Sequence, residues 1–421
     1  MIIKDARIVL RDRIFDGDLQ YDGGRIVKIG KGLGGTDGSI SVKGLYILPG
    51  AIDSHVHFRE PEASAKEDFL TGSSAALSGG VTTIVDMPCY RAPATTTLKA
   101  LKQKLALAKS KFVCDYAFNF GATAKNFGEV KKASRLCAGL KMFFSETGSE
   151  MTLTKSKVIE RHFAQLDRKK PVVVHAEDEE ALPEDSEGLE PLERAKARGP
   201  AAQLLGISKA CVLAHGRKLH IAHVTTAEEV QLAKSFANVT CEVTPHHLFL
   251  SQKDFVLLGN RAKTNPPLRS EEQRLGLWNR LDMIDTVASD HAPHLLADKD
   301  GEKAAAGVPG VETMLPLMLT AVNEGKLSLV RLCQMISAKP AEIFGMKRKG
   351  ELAPGKDADF LIVDMNEQWR LHQEDLHTKC GWSPFLNYGM TGKIRSVVLR
   401  GKEACYEGRI LAKPGFGKPA R

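Results

Sequence analysis

The hydrophobic and polar positions of the chain fall into three regions. Residues 1–48 carry short alternating apolar runs, and the turn Asp22-Gly23-Gly24 between two of them predicts a β-hairpin. From residue 49 to about 346, apolar strand-like runs alternate with amphipathic stretches of helical period. Residues 347–421 return to short strand-like runs, as at 360–364, 394–400 and 403–406. The chain therefore has an α/β middle and two β-rich ends.

The middle region predicts a (β/α)8 barrel. Its strand candidates are residues 47–57, 82–87, 115–119, 139–144, 171–175, 220–223, 240–243 and 285–290. Helical patterns occur at residues 66–77, 96–109, 155–166, 201–214, 227–236 and 311–323. Each end region is too short to bury a core alone, so we expect the two ends to pair. The predicted fold is a barrel domain at 49–346 and a small β-sandwich domain built from residues 1–48 and 347–421.

Composition and charge argue against a nucleic-acid-binding protein and against a membrane protein. The net charge of +8 is dispersed along the 421 residues, and the densest basic set is predicted to be the solvated face of one helix rather than a nucleic-acid site: Lys99, Lys102, Lys104, Lys109 and Lys111. The excess of positive charge favours an anionic substrate. Eight cysteines without a CxxC pair predict buried free thiols and a reducing compartment. Charged residues interrupt the first apolar run, and no stretch reaches the ~20 apolar residues of a membrane span, so we expect a cytoplasmic protein.

Residue types that bind metals recur at the predicted strand ends. Two histidines in His55-Val56-His57 follow an apolar strand, and alternate strand residues point to the same side, so both imidazoles can reach one ion. A single strand-end histidine is commonly a satisfied polar group, but a whole set at one barrel mouth is not explained by packing. The six residues of this set are His55, His57, Lys141, His175, His223 and Asp290.

Lys141 is unusual because it lies inside the apolar run Gly-Leu-Lys-Met-Phe-Phe. Burial of an ammonium group is costly unless the group is paired or neutralised. Reaction of the amine with CO2 would give a carbamate anion whose oxygens can bridge two metal ions. The alternative is a buried ion pair between Lys141 and Asp290.

Longer motifs give the chain a specific resemblance. They are His-Val-His-Phe-Arg-Glu-Pro (55–61), Gly-Leu-Lys (139–141), Val-His-Ala-Glu (174–177), Ala-His-Val (222–224), Thr-Cys-Glu-Val-Thr-Pro-His-His-Leu-Phe-Leu-Ser (240–251), Ala-Ser-Asp-His-Ala-Pro-His (288–294), Gly-Val-Pro-Gly-Val-Glu-Thr-Met-Leu-Pro-Leu (307–317) and Leu-Ala-Pro-Gly-Lys-Asp-Ala-Asp-Phe (352–360). With these motifs the chain resembles the dihydroorotases of the amidohydrolase superfamily. It looks most like the dihydroorotase domain of the animal multifunctional pyrimidine-synthesis protein.

The resemblance implies a zinc-dependent cyclic amidohydrolase. The reaction would be the reversible cyclisation of N-carbamoyl-L-aspartate to L-dihydroorotate in de novo pyrimidine synthesis, with Asp290 as general base and then general acid. Two zinc ions per chain would be bridged by carboxylated Lys141 and a hydroxide. The implied ligands are His55, His57 and Asp290 for one ion, and His175 and His223 for the other.

The resemblance also implies a site for the substrate carboxylate. Arg59 and His294 match the family, and an arginine fork suits a carboxylate. Asn265 matches a pocket-lining segment, although an Asn-Pro turn residue is the plain alternative. Cys89 stands where most of the family has an asparagine, and a thiol is a weak donor. Either the backbone or Tyr90 compensates, or the affinity is reduced, or the substrate differs.

Other features are expected to support the site. The loop at residues 145–150 matches a lid in outline, but it has Gly148 where the resembling loop carries an aromatic residue. His246 and His247 are predicted to be structural because the ligand set is already full, and His291 is predicted to orient a ligand. Four further histidines are predicted to be ordinary surface or loop residues: His162, His215, His372 and His377.

Two other functions remain open at this point. One is a different cyclic amidohydrolase, such as an allantoinase or hydantoinase, although these relatives generally lack the arginine at position 59. The other is a non-catalytic dihydroorotase homologue that scaffolds aspartate transcarbamoylase, although such proteins are expected to have lost metal ligands. The expected partners are the small-molecule substrate, a second copy of the chain in a homodimer, and aspartate transcarbamoylase, without nucleic acid or membrane.

Overall fold

The structure is a computed structural model that describes residues 1–34, 38–88, 94–146, 151–184, 186–301 and 304–420. The strands are β1 (Ile2–Val9), β2 (Ile14–Asp22), β3 (Arg25–Gly30), β4 (Ser39–Ser41), β5 (Tyr46–Pro49), β6 (Ala51–Val56), β7 (Val81–Asp86), β8 (Asp115–Phe118), β9 (Phe120–Gly121), β10 (Leu140–Phe143), β11 (Val172–His175), β12 (Leu219–Ile221), β13 (Val239–Val243), β14 (Thr286–Val287), β15 (Phe360–Arg370), β16 (Gly389–Leu399), β17 (Lys402–Tyr406) and β18 (Arg409–Ile410). The helices are α1 (Phe69–Ser78), α2 (Leu98–Lys111), α3 (Phe127–Ala133), α4 (Ser156–Gln165), α5 (Pro191–Ala197), α6 (Pro200–Leu213), α7 (Ala227–Lys234), α8 (Pro245–Phe249), α9 (Phe255–Leu258), α10 (Glu271–Trp278), α11 (Leu296–Lys299), α12 (Met314–Asn323), α13 (Leu329–Cys333) and α14 (Lys339–Phe344).

Strands β6 to β14 form a closed parallel barrel. The hydrogen-bonded orders are β6-β7-β8 and β9-β10-β11-β12-β13-β14, and β9 continues β8 after Asn119. The barrel closes where the His57 amide donates to the carbonyl of His291 at 2.8 Å, beside a parallel bridge between Val56 and His291. The predicted (β/α)8 architecture is thus confirmed, and each of the six predicted helices lies within a few residues of an observed one.

The predicted strand at 47–57 proved to be two strands. Strand β5 pairs with β1 and β15 in the terminal sheet, whereas β6 pairs with β7 in the barrel. The chain passes from one sheet to the other at Gly50, where a Cβ atom would lie only 2.4 Å from the Thr82 hydroxyl. A residue with a Cβ atom would clash here, so Gly50 allows the chain to pass this close to Thr82 between the two sheets.

Both chain ends build one nine-stranded sheet with its own core. The order is β18-β17-β16-β15-β5-β1-β2-β3, with β4 beside β1. Strands β2 and β15 are not neighbours in this order, yet the rings of Tyr21 and Phe360 pack at 5.4 Å, so the sheet folds over itself as a sandwich. Lys349 binds Asp115 of the barrel at 2.8 Å and Asp359 at 2.5 Å, which ties the sandwich to the barrel. A division at residues 48/49 and 346/347 stays a prediction.

The register of the barrel strands sets which side chains point inward. Lys141 lies opposite Val173, and Phe143 lies opposite His175, so these alternate residues face the interior together. Lys104 of α2 was predicted to be solvated and is instead buried, because its ammonium pairs with Asp86. The described cysteines are buried free thiols, as predicted. Across the described ranges, no helix combines the length and apolar character needed to cross a membrane.

Candidate metal centre and substrate pocket

A cavity of about 690 Å³ opens at the carboxyl ends of the barrel strands. Nine of the predicted site residues line it: His55, His57, Arg59, Lys141, His175, His223, Asn265, Asp290 and His294. Cys89 and Tyr90 lie outside the described residues, as do residues 147–150 of the predicted lid loop, including Gly148. The structure therefore brings together every described member of the predicted set.

His55, His57 and Asp290 form a three-ligand group. One ligand atom from each lies within 4.8 Å of the others. The Oδ1 atom of Asp290 is 3.3 Å from His55 Nε2 and 3.2 Å from His57 Nε2. Asp290 reaches this position with a left-handed backbone, at a φ of 45°, which costs conformational energy and is typical of functional sites.

His175 and His223 form the second pair. His175 Nδ1 lies 3.0 Å from His223 Nε2, so the two nitrogens can share either one proton or one cation. His175 Nε2 lies 3.0 Å from the carboxylate of Glu177, which places the ring proton there and leaves the Nδ1 lone pair facing His223. His223 also has a left-handed backbone, with a φ of 37°. His175 and His223 are therefore arranged to bind a cation.

Lys141 is fully buried, and its Nζ atom is 3.5 Å from His55 Nε2. Burial lowers its pKa to about 8, so a fraction of the amine is neutral near physiological pH. Within the described ranges, no carboxylate lies within 4 Å of Nζ, so the alternative ion pair with Asp290 is not formed. A buried amine that is neutral in part and lies beside metal-type ligands fits a carbamate.

Two buried glutamates behind the ligands were not predicted. Glu242 of β13 binds His55 Nδ1 through one oxygen and lies 3.0 Å from His220 Nε2 through the other. Glu177 bridges His175 and Arg198. Burial opposes ionisation of both, but their cationic and histidine neighbours hold the pKa of each well below its usual range. The sequence did offer a signal for Glu242, because it is the single acidic residue in the apolar strand Val-Thr-Cys-Glu-Val.

These carboxylates make the site a good fit for two divalent cations. Each one occupies the outer nitrogen of a histidine, which fixes the ring tautomer and directs the inner lone pair to the cavity. Histidine nitrogens with carboxylate oxygens suit zinc and also other first-row metals.

The remaining histidines mostly have structural contacts. His247 Nε2 lies 3.1 Å from the Pro266 carbonyl, and His291 Nδ1 accepts from the Gly310 amide at 3.1 Å. His162 was predicted to lie at the surface and is instead buried, with Nε2 2.8 Å from the Thr123 carbonyl.

Arg59, His294 and Asn265 line the same cavity as the three-ligand group. The Nη2 atom of Arg59 is 3.2 Å from His294 Nε2. Gly307, at a φ of 132°, lets the next loop close over them, since a Cβ there would lie 2.6 Å from the Ala292 carbonyl. The outer wall carries three acids, Glu146, Glu179 and Glu184. An anionic ligand is thus directed away from this wall and toward Arg59.

Comparison with known proteins identifies relatives of the chain. The sequence model of the amidohydrolase family matches residues 46–404. The chain is 35% identical over 419 residues to a dihydroorotase of Methanothermobacter thermautotrophicus, covering 97% of this chain and 95% of that protein. It is 37% identical to the multifunctional protein CAD of Squalus acanthias, covering 91% of this chain but 16% of that protein. The L-hydantoinase (dihydropyrimidinase) of Arthrobacter aurescens has a similar structure, with a TM-score of 0.94 at 30% identity, covering 100% and 99% of the two chains.

Proposed function

The chain belongs to the amidohydrolase family and is related to its dihydroorotases, and we propose that it interconverts N-carbamoyl-L-aspartate and L-dihydroorotate in de novo pyrimidine synthesis. One observation carries the proposal. A guanidinium suited to a carboxylate, Arg59, lies in the same cavity as the six residues of metal-binding type. A cyclic amide that carries an acid group next to its ring nitrogen needs this combination.

We propose two zinc ions as the cofactors. His55, His57 and Asp290 would hold one ion, and His175 and His223 the other, with Lys141 shared as its carbamate. When bound, the ions supply polarisation of the substrate carbonyl and lower the pKa of water at the site.

The side chains supply binding and proton transfer. Arg59 and His294 hold the carboxylate and so fix which ring carbonyl faces the metal-binding residues. In ring opening, Asp290 accepts the proton of the attacking water and then donates it to the ring nitrogen as the C–N bond breaks. In ring closure, the same carboxylate takes the proton from the ureido nitrogen as the C–N bond forms and gives it to the departing oxygen, which leaves as water.

A hydantoinase is the second candidate, since a hydantoinase structure has the same fold. Shared fold does not decide the substrate, because function depends on the residues of the site. Hydantoin and allantoin lack a carboxylate, and neither needs a buried arginine at position 59. Arg59 therefore favours dihydroorotate.

The test is an assay of zinc-loaded protein with dihydroorotate, hydantoin and allantoin, with bound metal counted. We expect turnover of dihydroorotate alone, and a large rise in KM for Arg59→Lys, since lysine cannot form the two-pronged contact. Turnover of hydantoin in preference would instead make the chain a hydantoinase. Protein that retains no zinc after loading and is inactive would support the non-catalytic scaffold.

We also propose a homodimer, association with aspartate transcarbamoylase and a cytoplasmic location, on the strength of the family relationship. Sedimentation of the protein with and without the transcarbamoylase tests the first two. If the chain sediments with the mass of a single copy in both runs, the two proposals are contradicted.

A further inference from the structure

Two residues at the carboxylate end of the cavity can act either as donors or as acceptors of hydrogen bonds. The Asn265 amide carries both an oxygen acceptor and an NH2 donor, and the neutral His294 ring carries one nitrogen of each kind. A substrate carboxylate is accepted only if both side chains present N–H. What fixes their orientation therefore decides which ligand the pocket accepts.

A cation lies behind each of these two residues. We propose that Arg194 and Lys66, neither of which lines the cavity, set its preference for a carboxylate by turning Asn265 and His294 so that both present donors. The inference rests on the proposed function and adds two positioning residues to it.

Arg194 of α5 fixes the amide. Its side chain is buried, and its Nη2 atom donates to Asn265 Oδ1 at 2.6 Å, while Nη1 donates to the Thr264 carbonyl at 3.4 Å. A guanidinium has donors only, so the amide oxygen must face Arg194. The NH2 group of Asn265 makes no hydrogen bond within the described ranges and is left for a ligand in the cavity.

Lys66 fixes the imidazole. Its Nζ atom lies 3.0 Å from His294 Nδ1 and is held from the other side by Asp298 at 3.1 Å. An ammonium and a guanidinium both have donors only, so the ring cannot accept from both Lys66 and Arg59; we assign the lone pair to Nδ1, which faces the nearer donor, Lys66, and the ring proton to Nε2. Nε2 is the nitrogen that lies 3.2 Å from Arg59 Nη2. In this tautomer the N–H groups of His294 and Arg59 do not satisfy each other, so both can be directed at the oxygen of one anion.

Three side chains thus offer N–H groups to one carboxylate, namely Arg59, His294 and Asn265. This arrangement also supplies an amide donor to a chain that has a cysteine at position 89. Without Arg194, the amide is free to turn its oxygen toward the substrate. Without Lys66, the proton of His294 is free to move to Nδ1. Either change replaces an attraction with a repulsion.

The test compares orotate with uracil, which differ by the carboxylate, as ligands of the zinc-loaded protein in calorimetry. We expect Arg194→Gln and Lys66→Met each to weaken orotate about tenfold while uracil changes less than about twofold. Zinc content should stay at the wild-type value. Lys379→Met is the matched control, because Lys379 pairs with Asp68 close by without contacting His294.

The double variants separate positioning from general damage. Arg194→Gln should add nothing to the loss of orotate affinity in an Asn265→Ala background, because its effect passes through that amide. Equal weakening of orotate and uracil, or full additivity with Asn265→Ala, would overturn the inference. If Arg194→Gln does not fold, Lys66→Met with His294→Ala provides the same test. Wild-type protein that binds orotate but turns over no dihydroorotate would refute the proposed function alone.

Discussion

At the two ends of the cavity, the inward-facing side chains are held from behind by groups of opposite charge. At the metal-binding end, the side chains that face inward are oriented from behind by carboxylates, Glu242 behind His55 and Glu177 behind His175. At the carboxylate end, they are oriented from behind by cations, Lys66 behind His294 and Arg194 behind Asn265. Histidine occurs at both ends.

This difference teaches that the charge of the residue behind an inward-facing side chain decides whether that side chain presents an acceptor or a donor to the cavity. An imidazole with a carboxylate behind it presents a lone pair and suits a cation, whereas one with an ammonium behind it presents N–H and suits an anion. The inward-facing residue types alone would not distinguish the two ends. Substitution of an inward-facing residue, or of the charged residue that orients it, tests how far the chemistry of each end depends on this arrangement.

Asp290→Asn should have the largest effect, because it removes both a proposed ligand and the proposed proton carrier of the metal-binding end. We expect kcat to fall by about 10²- to 10⁴-fold in both directions of the reaction. Asp285→Asn is the control, since Asp285 begins the same strand run and pairs with Lys234. An Asp290→Asn protein that keeps most of its kcat would show that another group moves the proton.

Lys141→Ala should have the second-largest effect. The buried amine forms no ion pair within 4 Å among the described residues, although Glu242 and Asp290 lie near enough to raise its pKa, so we attribute its presence to the carbamate. We expect metal content to fall by roughly half or more and kcat/KM to fall by at least about a hundredfold. Metal analysis of purified protein measures this directly. Unchanged metal content would leave Lys141 as an ordinary buried amine and would refute the bridging role.

Glu242→Gln tests the carboxylate behind His55 without touching a ligand. An amide can still hydrogen bond to Nδ1, but it does not raise the basicity of the ring, so we expect metal affinity to fall about 10- to 100-fold. Competition with a chelator measures the affinity. Glu229→Gln is the matched control, because Glu229 is equally buried but binds Thr225. Equal metal retention in both variants would mean that Glu242 only fills space.

Much of the site could be predicted because parallel barrel strands deliver their last residues to one face. The predicted positions of His55, Lys141, His175 and His223 depended only on strand ends and alternation. Gly50 was missed as a strand break, because the strands on either side of it are both apolar and no change of period marks the passage between sheets.

The residues behind the ligands could not be predicted from the chain pattern. Lys66 and His294 are 228 positions apart, and Arg194 and Asn265 are 71 apart, so their pairing depends on the folded barrel. Lys104 shows the same limit. Its helical spacing matched a solvated face, but the position of α2 against Asp86 buried it.

Cys89→Asn is expected to have the smallest effect, and it tests the carboxylate end. The resemblance to dihydroorotases implies an amide at this position, and an added amide donor should strengthen one charged hydrogen bond. We expect KM for dihydroorotate to fall by up to about tenfold, with kcat nearly unchanged, because the contact is equal in ground and transition states. Cys89→Ser is the control, because the short serine hydroxyl cannot supply the two donors of an amide. Cys137→Asn is not a suitable control, because it would only destabilise a buried core position. A KM that is unchanged or raised by Cys89→Asn would mean that position 89 does not reach the carboxylate, and that the donors turned inward by Arg194 and Lys66 complete this end of the cavity without it.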